Sequence, residues 1–208
     1  MFLFRIALLS LWFLAPSGVS HASERPLCFD FSKKSTLMLS PAPYGYPDVG
    51  RESRDLGTDP KTGLDWGKVS GIVKLPIEKV NARLLDQMTT RNPKTTTITT
   101  ESLPTNGALT RTRVAIRVKP VFFITLEWEE EWVHTLIDGT PGAPKEILIS
   151  YQKTKGTPHI RHFCGNILLK TLGPTATGVF LYEQIDADQR DPDDVADGLL
   201  GTLKVLRP

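Results

Sequence analysis

Glu130 stands between Trp128 and Trp132, and strand alternation through Phe122, Ile124, Leu126, Trp128 and Trp132 puts it on the same apolar face. A carboxylate withdrawn from water there would need a compensating partner, either an inward arginine or a group on a ligand. A bulge near Glu129 would turn it to solvent instead, and that is the preferred reading. Tyr151 and His162 are the other polar candidates. The three suit orienting a bound molecule, or, with a His or Tyr beside Glu130, moving a proton. The apolar candidates are Phe122, Ile124, Leu126, Trp128 and Trp132, joined by Ile149, Leu199 and Leu203. An aromatic face opposite a lone helix can leave a pocket, mostly greasy with a few placed polar groups. The alternative is an ordinary filled core.

Other chemistry is poorly supplied. Glu127, Glu129 and Glu131 share the opposite face of the same strand. They read as a charged surface paired with Arg111, Arg113 and Arg117 of the preceding strand, since opposite charges across strands attract. His159 and His162 are three apart, which on a strand aims them at opposite faces. His134 has no acid or cysteine at ligand spacing, so no metal site is expected. No Gly-x-Ser-x-Gly and no phosphate-binding glycine loop occurs. No catalytic residue is singled out, and no cofactor is implied.

The 208 residues carry a formal net charge of +2, with 40% hydrophobic and 23% charged residues. That is ordinary for a globular chain and gives no support to a nucleic-acid surface. Residues 1–22 read as a signal peptide: Arg5, an apolar run from Ile6 to Ala15, the Pro16-Ser17-Gly18 break, then Ser20-His21-Ala22. The run is too short to span a bilayer comfortably, so no stable membrane span is expected after cleavage. The expected address is outside the cytoplasm of a bacterium, periplasmic or secreted. Cys28 and Cys164 are the two cysteines. In an oxidising compartment they read as a disulfide, or as two thiols with Cys164 a small buried hydrophobe.

These residues need elements to hold them. Residues 23–66 form a Pro/Gly-rich extension, irregular from Ser40 to Trp66, that Tyr44, Tyr46 and Trp66 could pin down. A domain over 67–208 follows. It has a short strand at Val69–Leu75 and a helix from Ile77 to about Met88 with Ile77, Val80, Leu84 and Met88 on one stripe. Strands then follow at Thr95–Thr100, 111–118, 122–132, Glu146–Lys153, His159–Lys170 and Ala176–Asp186. About seven strands joined by short turns imply antiparallel pairing. Asp191 caps a last helix with Pro192 in its first turn, and Val195, Leu199, Leu203 and Leu206 make its buried stripe. Gly198 and Gly201 inside it suggest a close approach to the sheet or to a ligand, or simply a weak helix.

This order of strand, helix, six strands and terminal helix resembles the helix-grip fold of the START-like superfamily, also called SRPBCC or polyketide cyclase-like. Local pieces resemble it too: Leu75-Pro76-Ile77-Glu78-Lys79-Val80, Ile124-Thr125-Leu126-Glu127-Trp128, Ile149-Ser150-Tyr151-Gln152-Lys153 before Gly156-Thr157-Pro158-His159-Ile160, and Leu181-Tyr182-Glu183-Gln184-Ile185-Asp186-Ala187. The resemblance covers about Val69 to Pro208. Thr89 to Lys94 leaves little room for the second short helix usual in that group. The resemblance implies an α+β fold, a curved antiparallel sheet wrapped around a long C-terminal helix, and a cavity for an apolar ligand. The expected function is to bind or carry a lipid, sterol-like compound or quinone. A polyketide cyclase or aromatase-like enzyme and a non-catalytic interaction module are the alternatives.

Overall fold

A computed structural model describes residues 25–31, 49–86, 96–121, 124–188 and 191–208. The signal-peptide segment, Tyr44, Tyr46, Phe122 and the expected helix end at Met88 lie outside the described residues, and so do the side chains at 120, 121 and 124. Eight strands and two helices are present there: β1 (Ser53–Thr58), β2 (Asp65–Val73), α1 (Ile77–Leu85), β3 (Thr96–Ser102), β4 (Thr110–Val121), β5 (Ile124–Thr140), β6 (Ala143–Gly156), β7 (Ile160–Gly173), β8 (Ala176–Ala187) and α2 (Pro192–Leu206). They form one antiparallel sheet in the order β1-β2-β8-β7-β6-β5-β4-β3. This is the α+β helix-grip arrangement.

The sheet starts earlier than the sequence suggested. Ser53–Thr58, inside the stretch read as irregular, is a strand paired to β2 over its full length. Its inner face is not apolar. Arg54 reaches Asp193 at 2.6 Å and Asp197 at 3.0 Å on the first turns of α2.

Helix α2 begins as its residues dictate. Asp191 accepts a 2.9 Å bond from the amide of Asp193, and Pro192 needs no partner at the first position. Its buried stripe lies on β2, where two glycines admit it. A Cβ on Gly67 would sit 3.0 Å from the Ala196 amide, and one on Gly71 2.7 Å from Leu203 Cδ2. Of the two helix glycines for which a close approach was expected, Gly201 is buried, whereas a Cβ at Gly198 would meet nothing within 4 Å. Helix α1 buries Ile77, Val80 and Leu84, and its Arg83 donates to the carbonyls of Leu206 (2.8 Å) and Arg207 (3.1 Å) at the negative end of α2.

Apolar residues gather on both faces of the sheet. The inner face contributes Val69, Val73, Val114, Ile116, Trp132, Ile147, Ile149, Tyr151, Ile167, Leu169, Val179 and Leu181 to one core with α1 and with Leu199, Leu203 and Leu206 of α2. The outer face carries a second cluster of Trp66, Leu148, Leu168, Phe180 and Tyr182, against which Phe31 and Val49 pack. Among the described residues, no helix is long and apolar enough to cross a membrane.

Candidate functional site

Strand register assembles the inner-face site row by row. Trp132 faces Tyr151 across β5 and β6, Tyr151 faces Gly165 across β6 and β7, and Gly165 faces Glu183 across β7 and β8. Gly165 is what lets this row exist. A Cβ there would lie 2.3 Å from the Tyr151 hydroxyl oxygen, so only glycine lets the tyrosine lie flat across β7. In that position Tyr151 donates to Glu183 Oε2 at 2.8 Å and stacks on Trp132 at 4.3 Å with an 11° tilt. Phe163 flanks the tyrosine at 5.6 Å.

Glu130 lies in the adjacent row and is fully buried, which overturns the solvent-facing reading. The irregularity does exist, between Glu129 and Glu130, but it arises on β6: Glu129 pairs with Lys155 and Glu130 with Lys153, so Thr154 is the extra residue. Alternation along β5 is therefore kept, and Glu130 stays on the inner face. Each of its oxygens accepts one indole N–H, from Trp128 at 2.7 Å and from Trp132 at 2.8 Å. Part of the compensation comes from the two tryptophans themselves, which the carboxylate fixes in orientation. Lys153 stands opposite on the same face.

His134, four residues beyond Glu130 on that face, is 1% exposed, and its Nδ1 lies 2.7 Å from Asn81 Oδ1 on α1. Burial lowers its pKa to about 3. It is a neutral imidazole that ties β5 to the helix.

The remaining candidates divide between the two faces. Ile149, Leu199 and Leu203 are in the inner core. Leu126 is half-buried, and Trp128 packs against the core from its edge. His162 does not join them. On β7 the inner positions are Phe163, Gly165, Ile167 and Leu169, so His162 sits with Cys164 on the outer face. Its chemistry there concerns sulfur: Cys28 and Cys164 are joined as a disulfide, and His162 Nε2 lies 3.1 Å and 3.4 Å from the two sulfurs.

The acidic ladder on the outer face of β5 is paired as expected. Glu131 meets Arg111, Glu127 meets Arg117 at 2.5 Å, and Glu129 meets Lys155 at 2.9 Å and Arg113 at 3.7 Å.

Sequence reading missed Glu183 and Asn81 as polar partners inside the grip. Glu183 had a signal: it falls two residues after Leu181, continuing the inner-face alternation of Val179 and Leu181.

Helix α2 packs on β1, β2 and β8, and α1 mainly on β6, β7 and β8. The aromatic row on β5 and β6 thus lies to one side of the helices. Trp128, Lys153, Phe163 and Glu183 at its rim are only partly buried. A separate depression of about 460 Å³ opens beside α1, between Leu75, Pro76, Lys79, Ala82, Arg83 and Asp86.

No protein-family model matches the sequence, and no curated protein is significantly similar to it. Solved structures are similar to it, and the first of these shares the fold. The human StarD13 lipid transfer and protein localization domain superposes with a TM-score of 0.56 at 10% identity, over 78% of this chain and 85% of that one. The Zhui aromatase/cyclase from Streptomyces sp. R1128 gives 0.43 at 17% identity over 69% and 86%. A norcoclaurine synthase point mutant from Thalictrum gives 0.42 at 12% identity over 76% and 94%.

Proposed function

We propose that this chain, which has the helix-grip fold of the START-like (SRPBCC) superfamily, is an exported protein that binds an apolar small molecule on the inner face of its sheet. A lipid, a sterol-like compound or a quinone is the class that suits such a surface. One observation carries the reading: the stacked Trp132–Tyr151 pair, held by Glu130 at one end and Glu183 at the other, beside the half-buried Trp128 and Phe163. Trp132 and Tyr151 are themselves buried in the core and brace the row, so the apolar area a ligand can cover without first ordering it is that of the partly buried Trp128 and Phe163 at the rim. That burial contributes roughly 25 cal/mol per Å². Export is supported by the Arg5-to-Ala22 pattern and by a disulfide, which persists in oxidising compartments.

The test is native mass spectrometry of the protein purified from its own compartment, followed by titration with a fatty acid, a sterol and a quinone. A co-purifying apolar mass, and saturable binding weakened in Trp128→Ala, are expected. If the purified chain carries nothing and none of the three probes saturates it, the reading fails.

A second reading, an enzyme, rests on the Tyr151–Glu183 pair, a phenol hydrogen-bonded to a carboxylate at an inner-face rim. Tyr151→Phe separates the two, because it keeps the aromatic surface and removes the proton. A carrier retains its ligand in that variant, whereas an enzyme binds and does not turn over.

A further inference from the structure

The outer face carries an arrangement that ligand binding does not use. Residues 25–31 lie across it as a strap, covering part of the sheet near the second apolar cluster. The Phe29 amide donates to Gln152 Oε1 at 2.9 Å, and Gln152 Nε2 donates back to the Phe29 carbonyl at 3.0 Å. Arg25 reaches Asp186 at 3.0 Å. The covalent anchor is the Cys28–Cys164 bond.

That bond has polar neighbours that a purely structural disulfide does not need. Gln184 Nε2 lies 3.3 Å from Cys164 Sγ and 3.6 Å from Cys28 Sγ, and His162 Nε2 is within 3.4 Å of both. The two sulfurs also differ in access: Cys164 is fully buried and Cys28 is not. Cys28, His162 and Cys164 bring metal-type ligand atoms within 4.8 Å of one another, but with the two sulfurs bonded together that grouping is not an ion site.

We propose that Cys28–Cys164 is a thiol–disulfide exchange site in which a dithiol attacks Cys28, Cys164 leaves, and opening the bond loosens the strap. The attacking thiolate forms a mixed disulfide with Cys28 Sγ, and the Sγ–Sγ electron pair departs on Cys164. The amide N–H of Gln184 stabilises that thiolate, and the neighbouring imidazole of His162 relays its proton from water. The second thiol of the reductant, as thiolate, then attacks its own mixed-disulfide sulfur and releases Cys28. Two electrons pass to the protein, the protein thiols gain two protons, and the dithiol becomes a disulfide. A leaving thiol that is easier to ionise leaves faster, which is the part His162 and Gln184 play as positioning residues. Burial, with Arg25 adding to it and Asp186 opposing it, lowers the pKa of His162, so at neutral pH the imidazole is neutral and carries one ring N–H to donate.

The experiment is reduction of the folded, oxidised full chain by dithiothreitol at graded concentrations, with acid quench, alkylation and mass spectrometry. A parallel trap with glutathione locates the adduct. The expected result is a rate proportional to dithiothreitol, glutathione on Cys28 with Cys164 alkylated, and roughly tenfold slower reduction in His162→Leu and Gln184→Leu. Hydrogen exchange at the Phe29 amide should then accelerate at least tenfold on reduction, with the amides of β6 and β7 unchanged. A rate that levels off at a dithiol-independent value overturns the proposal, because the bond then opens only when the whole protein unfolds. So does an adduct on Cys164, or unchanged protection at Phe29. The adduct and the concentration dependence need no variant, so a misfolded substitution leaves the outcome decidable.

Discussion

His134 should make the protein begin to lose stability in mild acid, before its carboxylates titrate. Its imidazole is buried, bonded to Asn81 through Nδ1, and has a pKa lowered to about 3 by burial, against 6.5 in an exposed state. Between those two values the unfolded chain binds a proton that the folded chain refuses. Stability is therefore complete above about pH 6.5 and falls with pH towards 3. Each pH unit in that window costs about 1.4 kcal/mol, so moving from pH 7.5 to 5.0 removes about 2 kcal/mol through this one group. That is a large share of a typical total of roughly 5–15 kcal/mol. The assay is urea unfolding at pH 7.5 and 5.0, for the natural chain and for His134→Gln. The variant keeps a side-chain amide within reach of Asn81 and cannot titrate. With a urea slope of about 2 kcal/mol per molar, the midpoint of the natural chain should fall by roughly 1 M more than that of the variant. His162, whose pKa is also lowered by burial, contributes equally to both chains and cancels. Equal losses in the two proteins would refute the reasoning, because His134 would then be protonated in the folded state at no cost.

Gly165→Ala should displace Tyr151, because a Cβ would lie 2.3 Å from its hydroxyl oxygen and 2.5 Å from the Tyr182 carbonyl; a loss of about 1–3 kcal/mol and a changed near-UV circular dichroism spectrum are expected. Gly198→Ala should do the reverse, since nothing lies within 4 Å of the added methyl; denaturation should show up to about 1 kcal/mol of gain from helix propensity. Glu130→Leu strands the indole N–H of Trp132 in the interior and frees that of Trp128 at the rim, and should cost roughly 1–3 kcal/mol, read by chemical denaturation, whereas Trp128→Phe leaves one acceptor site vacant and costs less. Replacing both Cys28 and Cys164 by Ser removes a cross-link spanning 136 positions and should lower stability by up to about 5 kcal/mol in the chain-entropy model, checked by the shift in thermal midpoint.

Element order was legible because it rests on strong local signals. The apolar stripe of α1, the Asp191-Pro192 start of α2 and the alternation in β4 each point to one structure. What was not legible had a physical reason in each case. Strand β1 hides among turn residues, and its inner face carries Arg54, whose partners lie about 140 positions away on α2. The face of His162 could not be read because β7 is buried on both sides: Ile167 and Leu169 face inward while Cys164, Asn166 and Leu168 face outward, so the alternation vanishes. The burial of Glu130 was not legible because its partners include the neighbouring tryptophans, which read as apolar in a hydropathy pattern yet each carry an indole N–H donor.

The division of β7 also explains how one strand serves two purposes. Its inner positions need a small residue at Gly165, so that Tyr151 can reach Glu183, and bulk on either side of it. Its outer positions hold Cys164 and His162, which meet the strap through Cys28. A register slip of one residue would exchange the two sets and destroy both. The pairing of Cys164 with Gln184, and of Gly165 with Glu183, fixes that register from both faces at once. Loosening the strap should therefore leave the inner aromatic row in place. If reduction instead broke the Trp132–Tyr151 stack, seen as a loss of near-UV ellipticity, the two faces would be mechanically coupled and the separation drawn here would be wrong.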